Sequence, residues 1–194
     1  MLRPLMFAVL SLAGFATSTA SAQTTRTVCA SGCDFTSINA AIDASSDGDV
    51  INIAAGTYNE HALNPHGKAI TIQGTLNEDG SLATTIDAQQ AGGVFYIESY
   101  EDASTVIQHL IIIGGAGDNG SGITCEYSSP SIIACTIMGN STNYQGGGIF
   151  CLNSNATITD CTISGNTAYE GGGAIYCSDD SNPIISGGTI EGNT

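Results

Sequence analysis

The chain has 194 residues, 25 of them glycine and none tryptophan, and 18 acidic side chains face three basic ones for a formal net charge of −15. So acidic a surface repels a phosphate backbone, which excludes nucleic acid as a partner. The scarcity of Lys and the abundance of Gly, Asn, Ser and Thr exclude a helical globule and favour strands joined by turns, in a length that fits one domain.

Arg3 precedes an apolar run, Leu5 to Ala16, and a small-residue stretch ends at Ala20-Ser21-Ala22. This is the layout of a secretory signal peptide over residues 1–22, cleaved before Gln23. The run is too short for a membrane anchor, and no later segment is long and apolar enough to span a membrane. Once Arg3 is removed, the 18 acidic residues are opposed only by Arg26 and Lys68.

Cys29 and Cys33 come next. In an exported protein cysteines oxidise where geometry allows, and this close pair is the best candidate for a disulfide. Phe35, Ile38, Ala41 and Ile42 fall at helical spacing, with Thr36 or Ser37 placed to cap, which predicts one short amphipathic helix. Asp47-Gly48-Asp49 is a turn. Strands are predicted over Val50 to Ala54, Ala69 to Gln73 and Thr84 to Asp87.

From Val94 onward the sequence repeats. Cys125, Cys151 and Cys177 are 26 apart; Ile137, Ile163 and Ile190 are 26 and then 27 apart, with one residue added before Pro183. A period of this length, built from short alternating strands and Gly/Asn/Ser turns, is a solenoid signature. Each repeat reads as three short strands separated by bends. Alternation points Ile149, Cys151, Ile158, Cys161 and Ile163 inward, and Phe150, Thr157 and Thr162 outward. Stacking then makes columns: Ile123, Ile149, Ile175; Ile132, Ile158, Ile185; and Leu110, Cys135, Cys161, ended by Gly188. The helix stands where the first open edge needs cover.

Asn140, Asn166 and Asn193 each follow a Gly and each lie three residues after an inward Ile. Asn tolerates left-handed turns, and its amide both donates and accepts, so one Asn per coil at one register predicts a structural ladder. Phe95, Phe150 and Tyr176 are assigned to one outward register of the first strand, with Thr124 between them. Their rings offer flat apolar faces for sugar rings, although stacking on one another to brace the sheet is the simpler role.

Glu98, Glu101 and Asp102 lie in the longer turn between Tyr96 and Val106, and Asp118, Glu126, Asp179 and Asp180 lie in later turns. Such oxygen-rich turns suit calcium, but the spacing fits no defined calcium loop, and they are read as solvated surface charge. No metal or cofactor is expected. Cys125 with Cys135, and Cys151 with Cys161, recur ten apart; they either bridge across a coil or stack as small apolar groups, and Cys177 has only Gly188 at the partner register. His61, His66 and His109 are isolated and read as turn residues.

The coil pattern resembles right-handed parallel β-helix proteins of the pectate-lyase-like superfamily. Gly172-Gly173-Ala174-Ile175 and Ile163-Ser164-Gly165-Asn166 resemble the repeats of polymorphic outer-membrane proteins. The opening segment, Ile38 to Ile42 followed by Gly48-Asp49-Val50-Ile51-Asn52-Ile53 and Gly56-Thr57-Tyr58-Asn59-Glu60, is similar to the N-terminal portion of pectin-methylesterase-like and copper-periplasmic-type β-helix proteins. Together these segments cover nearly all of residues 29 to 194. The resemblance implies an all-β fold: a right-handed parallel β-helix solenoid over residues 23–194 with a short N-terminal capping helix.

The resemblance also says what enzymes on this scaffold require. Lyases use calcium held by acidic side chains and an Arg or Lys base; esterases use two Asp with an Arg; hydrolases use several Asp with a His and a basic residue. Each must offset a uronate or a developing negative charge with a cation. After Lys68 the chain contains no Arg and no Lys, so no catalytic residue is assigned. The expected role is that of an exported, non-catalytic segment, secreted or at the cell surface, with a structural, adhesive or glycan-contacting function and a polysaccharide or cell-surface glycan as partner. The alternative is the N-terminal part of a polysaccharide lyase or hydrolase whose catalytic residues lie beyond Thr194. The last coil, with no capping element after it, is read as the front part of a longer protein.

Overall fold

The computed structural model describes residues 22–194, and the signal peptide read from the sequence lies outside the described residues except for Ala22. Short β-branched runs broken by residues at positive φ, among them His109, Ala134, Asp160 and the Gly before each ladder Asn (Gly139, Gly165 and Gly192), leave the chain no means of building long strands. It turns a corner every few residues instead. The opening part holds β1 (Thr25–Val28), α1 (Ile38–Ala44), β2 (Val50–Ile53), β3 (Gly56–Tyr58), β4 (Thr71–Gly74) and β5 (Thr84–Asp87). Regular coils follow: β6 (Phe95–Ile97), β7 (Val106–Gln108), β8 (Ile111–Ile113) and β9 (Ala116–Asn119), then β10 (Ile123–Glu126), β11 (Ser131–Ile133), β12 (Thr136–Met138) and β13 (Ser141–Gln145). The last two coils hold β14 (Ile149–Leu152), β15 (Thr157–Thr159), β16 (Thr162–Ser164) and β17 (Thr167–Ala168), and β18 (Ile175–Ser178), β19 (Ile184–Ser186) and β20 (Thr189–Glu191).

Every strand pairs in parallel with its counterpart one coil away. The sheets run β1-β2-β4-β7-β11-β15-β19, β3-β5-β8-β12-β16-β20, β6-β10-β14-β18 and β9-β13-β17. The chain is a right-handed parallel β-helix of about six turns with one short helix. Two features go beyond the sequence reading. β1 opens the longest sheet by pairing with β2. A fourth short strand, β9, β13 or β17, lies where only a turn was read; Ser141 to Gln145 carries no apolar alternation, so nothing in its pattern announced a strand.

Stacking in register makes the core. Ile123, Ile149 and Ile175 are direct partners, as are Ile132, Ile158 and Ile185, and Ile86, Ile112, Ile137 and Ile163. Ile137 is wholly buried, and a buried Ile contributes about 1.5–3 kcal/mol relative to exposure. No single coil encloses its own apolar side chains, so neighbouring coils supply that burial to one another.

Helix α1 covers the first coil with Ile38, Ala41 and Ile42. The Ser37 hydroxyl caps it, accepting from the Ala40 N–H at 3.3 Å. Both ends are held by charges from the coil beneath. The Glu60 carboxylate accepts from Ile38 N at 2.7 Å and Asn39 N at 3.0 Å. The Lys68 ammonium donates to the carbonyls of Ile42 at 2.7 Å and Asp43 at 3.1 Å. Cys29 and Cys33, in the loop before the helix, are bridged with their Cα atoms 5.6 Å apart.

The Asn residues form a continuous ladder. Asn140, Asn166 and Asn193 donate through Nδ2 to the carbonyls of Ile112, Ile137 and Ile163 at 3.1, 2.9 and 2.9 Å. Their Oδ1 atoms accept the backbone N–H of Gly115, Asn140 and Asn166 at 2.8, 3.0 and 3.0 Å. Amide-to-amide bonds join Asn140 to Asn166 at 2.9 Å and Asn166 to Asn193 at 3.0 Å. A second polar column escaped the sequence reading. Glu101 is buried, 4% exposed, rather than a solvated charge. Its carboxylate accepts from Gly67 N at 2.8 Å, Ser99 N at 2.7 Å and Ser128 Oγ at 2.8 Å. The Ser154 hydroxyl donates to the Ser128 carbonyl, and the Ser154 N–H donates to Ser181 Oγ at 3.1 Å. Ser128, Ser154 and Ser181 lie 26 and 27 apart, the same period as the Asn column, and that spacing was the available signal.

Candidate glycan-facing site

The sheet β6-β10-β14-β18 carries the candidate surface. Its register corrects one assignment. Phe95 pairs with Ile123 and is fully buried, so it belongs to the inward column; Tyr96 is the partner of Thr124. Phe95 offers no face to a ligand. The outward row is Tyr96, Thr124, Phe150 and Tyr176.

Phe150 and Tyr176 stack almost flat, with ring centroids 5.9 Å apart and 3° between planes. The contact leaves Phe150 only 5% exposed. Gly120 and Gly146 close over its Cβ, where any side chain of their own would collide with it. Phe150 therefore serves as an internal brace, while Tyr96, whose hydroxyl accepts from Gly93 N at 3.1 Å, and Tyr176 are half-buried.

Beside this row, Tyr96, Glu98, Asp118, Asn119, Thr124 and Glu126 line a shallow depression of about 240 Å³. The Thr124 hydroxyl donates toward the carbonyls of Asn119 at 3.2 Å and Gly120 at 3.0 Å, fixing the rim loop, and Asn119 Oδ1 accepts from Gln145 N at 3.2 Å. Glu98 accepts from Asn64 Nδ2 at 3.2 Å. Partial burial pushes the Glu126 carboxyl above its ordinary value, and the Glu98 carboxylate adds to the shift. The depression is thus acidic and polar.

No cation faces it among the described residues. Arg26 donates to Asp49 at 3.2 and 3.1 Å in the opening coil, and Lys68 is bound to the end of α1. No trio of His, Cys, Asp and Glu among the described residues is arranged to hold a metal ion. His66 and His109 occupy left-handed turn positions, φ 57° and 56°, and His66 approaches Asp43 at 3.8 Å on the surface. His61 lies beside Gly92. A larger cleft of about 570 Å³ lies by Thr36, Ser37, Tyr58 and Glu60, but its carboxylate is committed to the start of α1.

A stretch running from β16 to β18 matches a known repeat. Residues 160–178 match the Chlamydia polymorphic membrane protein (Chlamydia_PMP) repeat. Among curated proteins none matches by sequence. Two crystal structures of the pectin methylesterase from Aspergillus niger are similar in shape, one of the deglycosylated form and one of a penultimately deglycosylated form with an N-acetylglucosamine stub. They are 13% and 12% identical, each covers 91% of this chain, 87% and 88% of theirs is covered, and the TM-score is 0.45 for both. No helix among the described residues is long and apolar enough to cross a membrane.

Proposed function

We propose that the chain is an exported surface β-helix segment that contacts glycan along the β6-β10-β14-β18 face and performs no chemistry there. The charge of that face carries the reading. It presents Glu98, Asp118 and Glu126 with no Arg or Lys, whereas uronate cleavage or de-esterification needs a cation to offset the substrate carboxylate and the developing anion. The likeness of residues 160–178 to a polymorphic membrane protein repeat supports the surface role. Export supplies the oxidising setting in which the Cys29–Cys33 bridge persists. Tyr96 and Tyr176 supply the sugar-stacking surfaces, and the acidic depression selects neutral or amino sugars over polyuronates.

Affinity electrophoresis through neutral, amino-sugar and polygalacturonate gels tests this. Retardation by a neutral or amino-sugar polymer is expected, with none by polygalacturonate. Tyr96→Ala and Tyr176→Ala each weaken retention about fivefold, the equivalent of roughly 1 kcal/mol per ring. Release of unsaturated uronate or of methanol from pectin would overturn the non-catalytic reading, and no retardation by any polymer would remove the glycan role.

A further inference from the structure

The turn that leaves each strand of the β6-β10-β14-β18 sheet contains one residue at left-handed φ: Tyr100 at 64°, Tyr127 at 51°, Asn153 at 47° and Asp179 at 51°. Asn and Asp tolerate this backbone because a short polar side chain bonds locally, whereas a bulky ring there is an outlier. Two neighbouring coils therefore carry Tyr against backbone preference. Burial does not offset the strain. Tyr100 is 81% exposed and Tyr127 51% exposed, although each belongs to a coil with others stacked on both sides. Their ring centroids lie 6.3 Å apart with 43° between planes, an open wedge. Phe150 and Tyr176, at 3°, cover one another instead. Strain kept without a packing gain is the pattern of a ligand clamp.

We propose that Tyr100 and Tyr127 form a second sugar-stacking subsite, just past the strand ends, for the same glycan chain that lies on the β6-β10-β14-β18 face. The inference rests on the glycan reading given above and extends it from one row to a track. Tyr96, Glu98 and Tyr100 follow one another at every second residue, and Glu126 immediately precedes Tyr127. Glu98 and Glu126 both line the depression beside Tyr96, so along the chain the carboxylates stand between Tyr96 and the tyrosine pair. Four residues span at most about 13 Å when extended, a track for several linked sugar rings rather than a single one. The open ring faces offer flat apolar surfaces to the C–H faces of pyranose rings. The carboxylates beside them repel a uronate, so the occupant is a neutral or amino-sugar polymer.

The test is affinity electrophoresis of the full chain in gels of hydroxyethylcellulose and of glycol chitosan, with a melting curve for each variant. Tyr100→Asn and Tyr127→Asn use the residue type that the adjacent coil carries at this turn, Asn153. Each is expected to weaken retention about fivefold while the melting temperature holds or rises. Tyr100→Phe and Tyr127→Phe keep the ring and are expected to keep retention. Tyrosines that merely brace the turn give the reverse: the Asn variants melt lower with retention unmoved, which overturns the proposal. Retention lost equally in the Phe variants also overturns it, because ring stacking is then not the cause. Should an Asn variant fail to fold, nitration of the unaltered chain by tetranitromethane decides. Either soluble polymer is expected to shield Tyr100 and Tyr127 but not the exposed Tyr144 of β13; equal nitration with and without polymer overturns the subsite. The two readings fail separately. Loss of retention in Tyr96→Ala with both Asn variants neutral strikes the subsite and leaves the glycan face. Loss in the Asn variants with Tyr96→Ala neutral keeps the subsite and strikes the face. No retardation of the unaltered chain in either gel overturns both.

Discussion

Asn166 is the sharpest place to perturb the solenoid. It is fully buried, and its side chain takes part in four hydrogen bonds, to the Ile137 carbonyl, to Asn193 Oδ1, and from both the backbone and side-chain nitrogens of Asn140. Asn166→Ala removes all four. The Asn140 N–H is left buried without an oxygen, which costs about 1–3 kcal/mol, and each other lost bond contributes about 0.5–1.5 kcal/mol. Asn140 Nδ2 keeps the Ile112 carbonyl and Asn193 Oδ1 keeps the Asn166 N–H, so these groups are not orphaned and the loss stays toward the low end of that sum. The expected loss is about 3 kcal/mol. At a urea slope of about 2 kcal/mol/M the midpoint falls by roughly 1.5 M. Urea unfolding followed by far-ultraviolet circular dichroism reads this out, with Asn143→Ala, at an exposed position of β13, as the control. An unfolding free energy for Asn166→Ala within about 0.5 kcal/mol of that control would refute the ladder as a source of stability.

Three further outcomes are expected. Ile137→Ala, a cavity between Ile112 and Ile163, lowers stability by about 2–5 kcal/mol in the same urea assay. Gly148→Ala places a Cβ 2.5 Å from the Ala174 carbonyl of the next coil and destabilises more than Gly139→Ala, where nothing lies within 4 Å and only the φ of +64° opposes the change; the ordering of the two melting temperatures checks this. Asp49 is held below the ordinary carboxylate value by the N–H groups of Ser46 and Thr24 and by Arg26. A depressed folded-state value gives stability that is present above the unfolded carboxyl value, near pH 4, and is lost as pH falls through the folded value. Melting temperatures measured between about pH 5 and pH 2 should therefore drop less steeply in Asp49→Asn than in the unaltered chain.

Much of the fold is legible because the chain repeats. Once Cys125, Cys151 and Cys177 fall 26 apart, identical coils can satisfy their backbone only by stacking in register, and the inward Ile columns and the Asn ladder follow from alternation and turn chemistry. The N-terminal helix was equally readable, because Ile38, Ala41 and Ile42 mark one face and Ser37 supplies the cap. The thiols were less so. Spacing within a coil suggested Cys125 with Cys135 and Cys151 with Cys161, whereas contact between coils decides which sulfurs meet.

The candidate site shows where local pattern stops. The period weakens toward the opening coils: Phe95 lies 28 residues before its partner Ile123 rather than 26. Side-chain direction in a strand alternates with every residue, so an error of one place exchanges inside for outside. Only the hydrogen-bonded register puts Phe95 in the core and Tyr96 on the surface. Burial of Glu101 and of Phe150 has the same origin. Each is covered by side chains and backbone from other coils: Ser128 over Glu101, Gly120, Gly146 and Tyr176 over Phe150. The repeat in the sequence determined the coil and its core because those contacts recur at a fixed spacing. The tertiary structure alone decided which polar and aromatic groups reach solvent, because that depends on turns whose lengths differ from coil to coil.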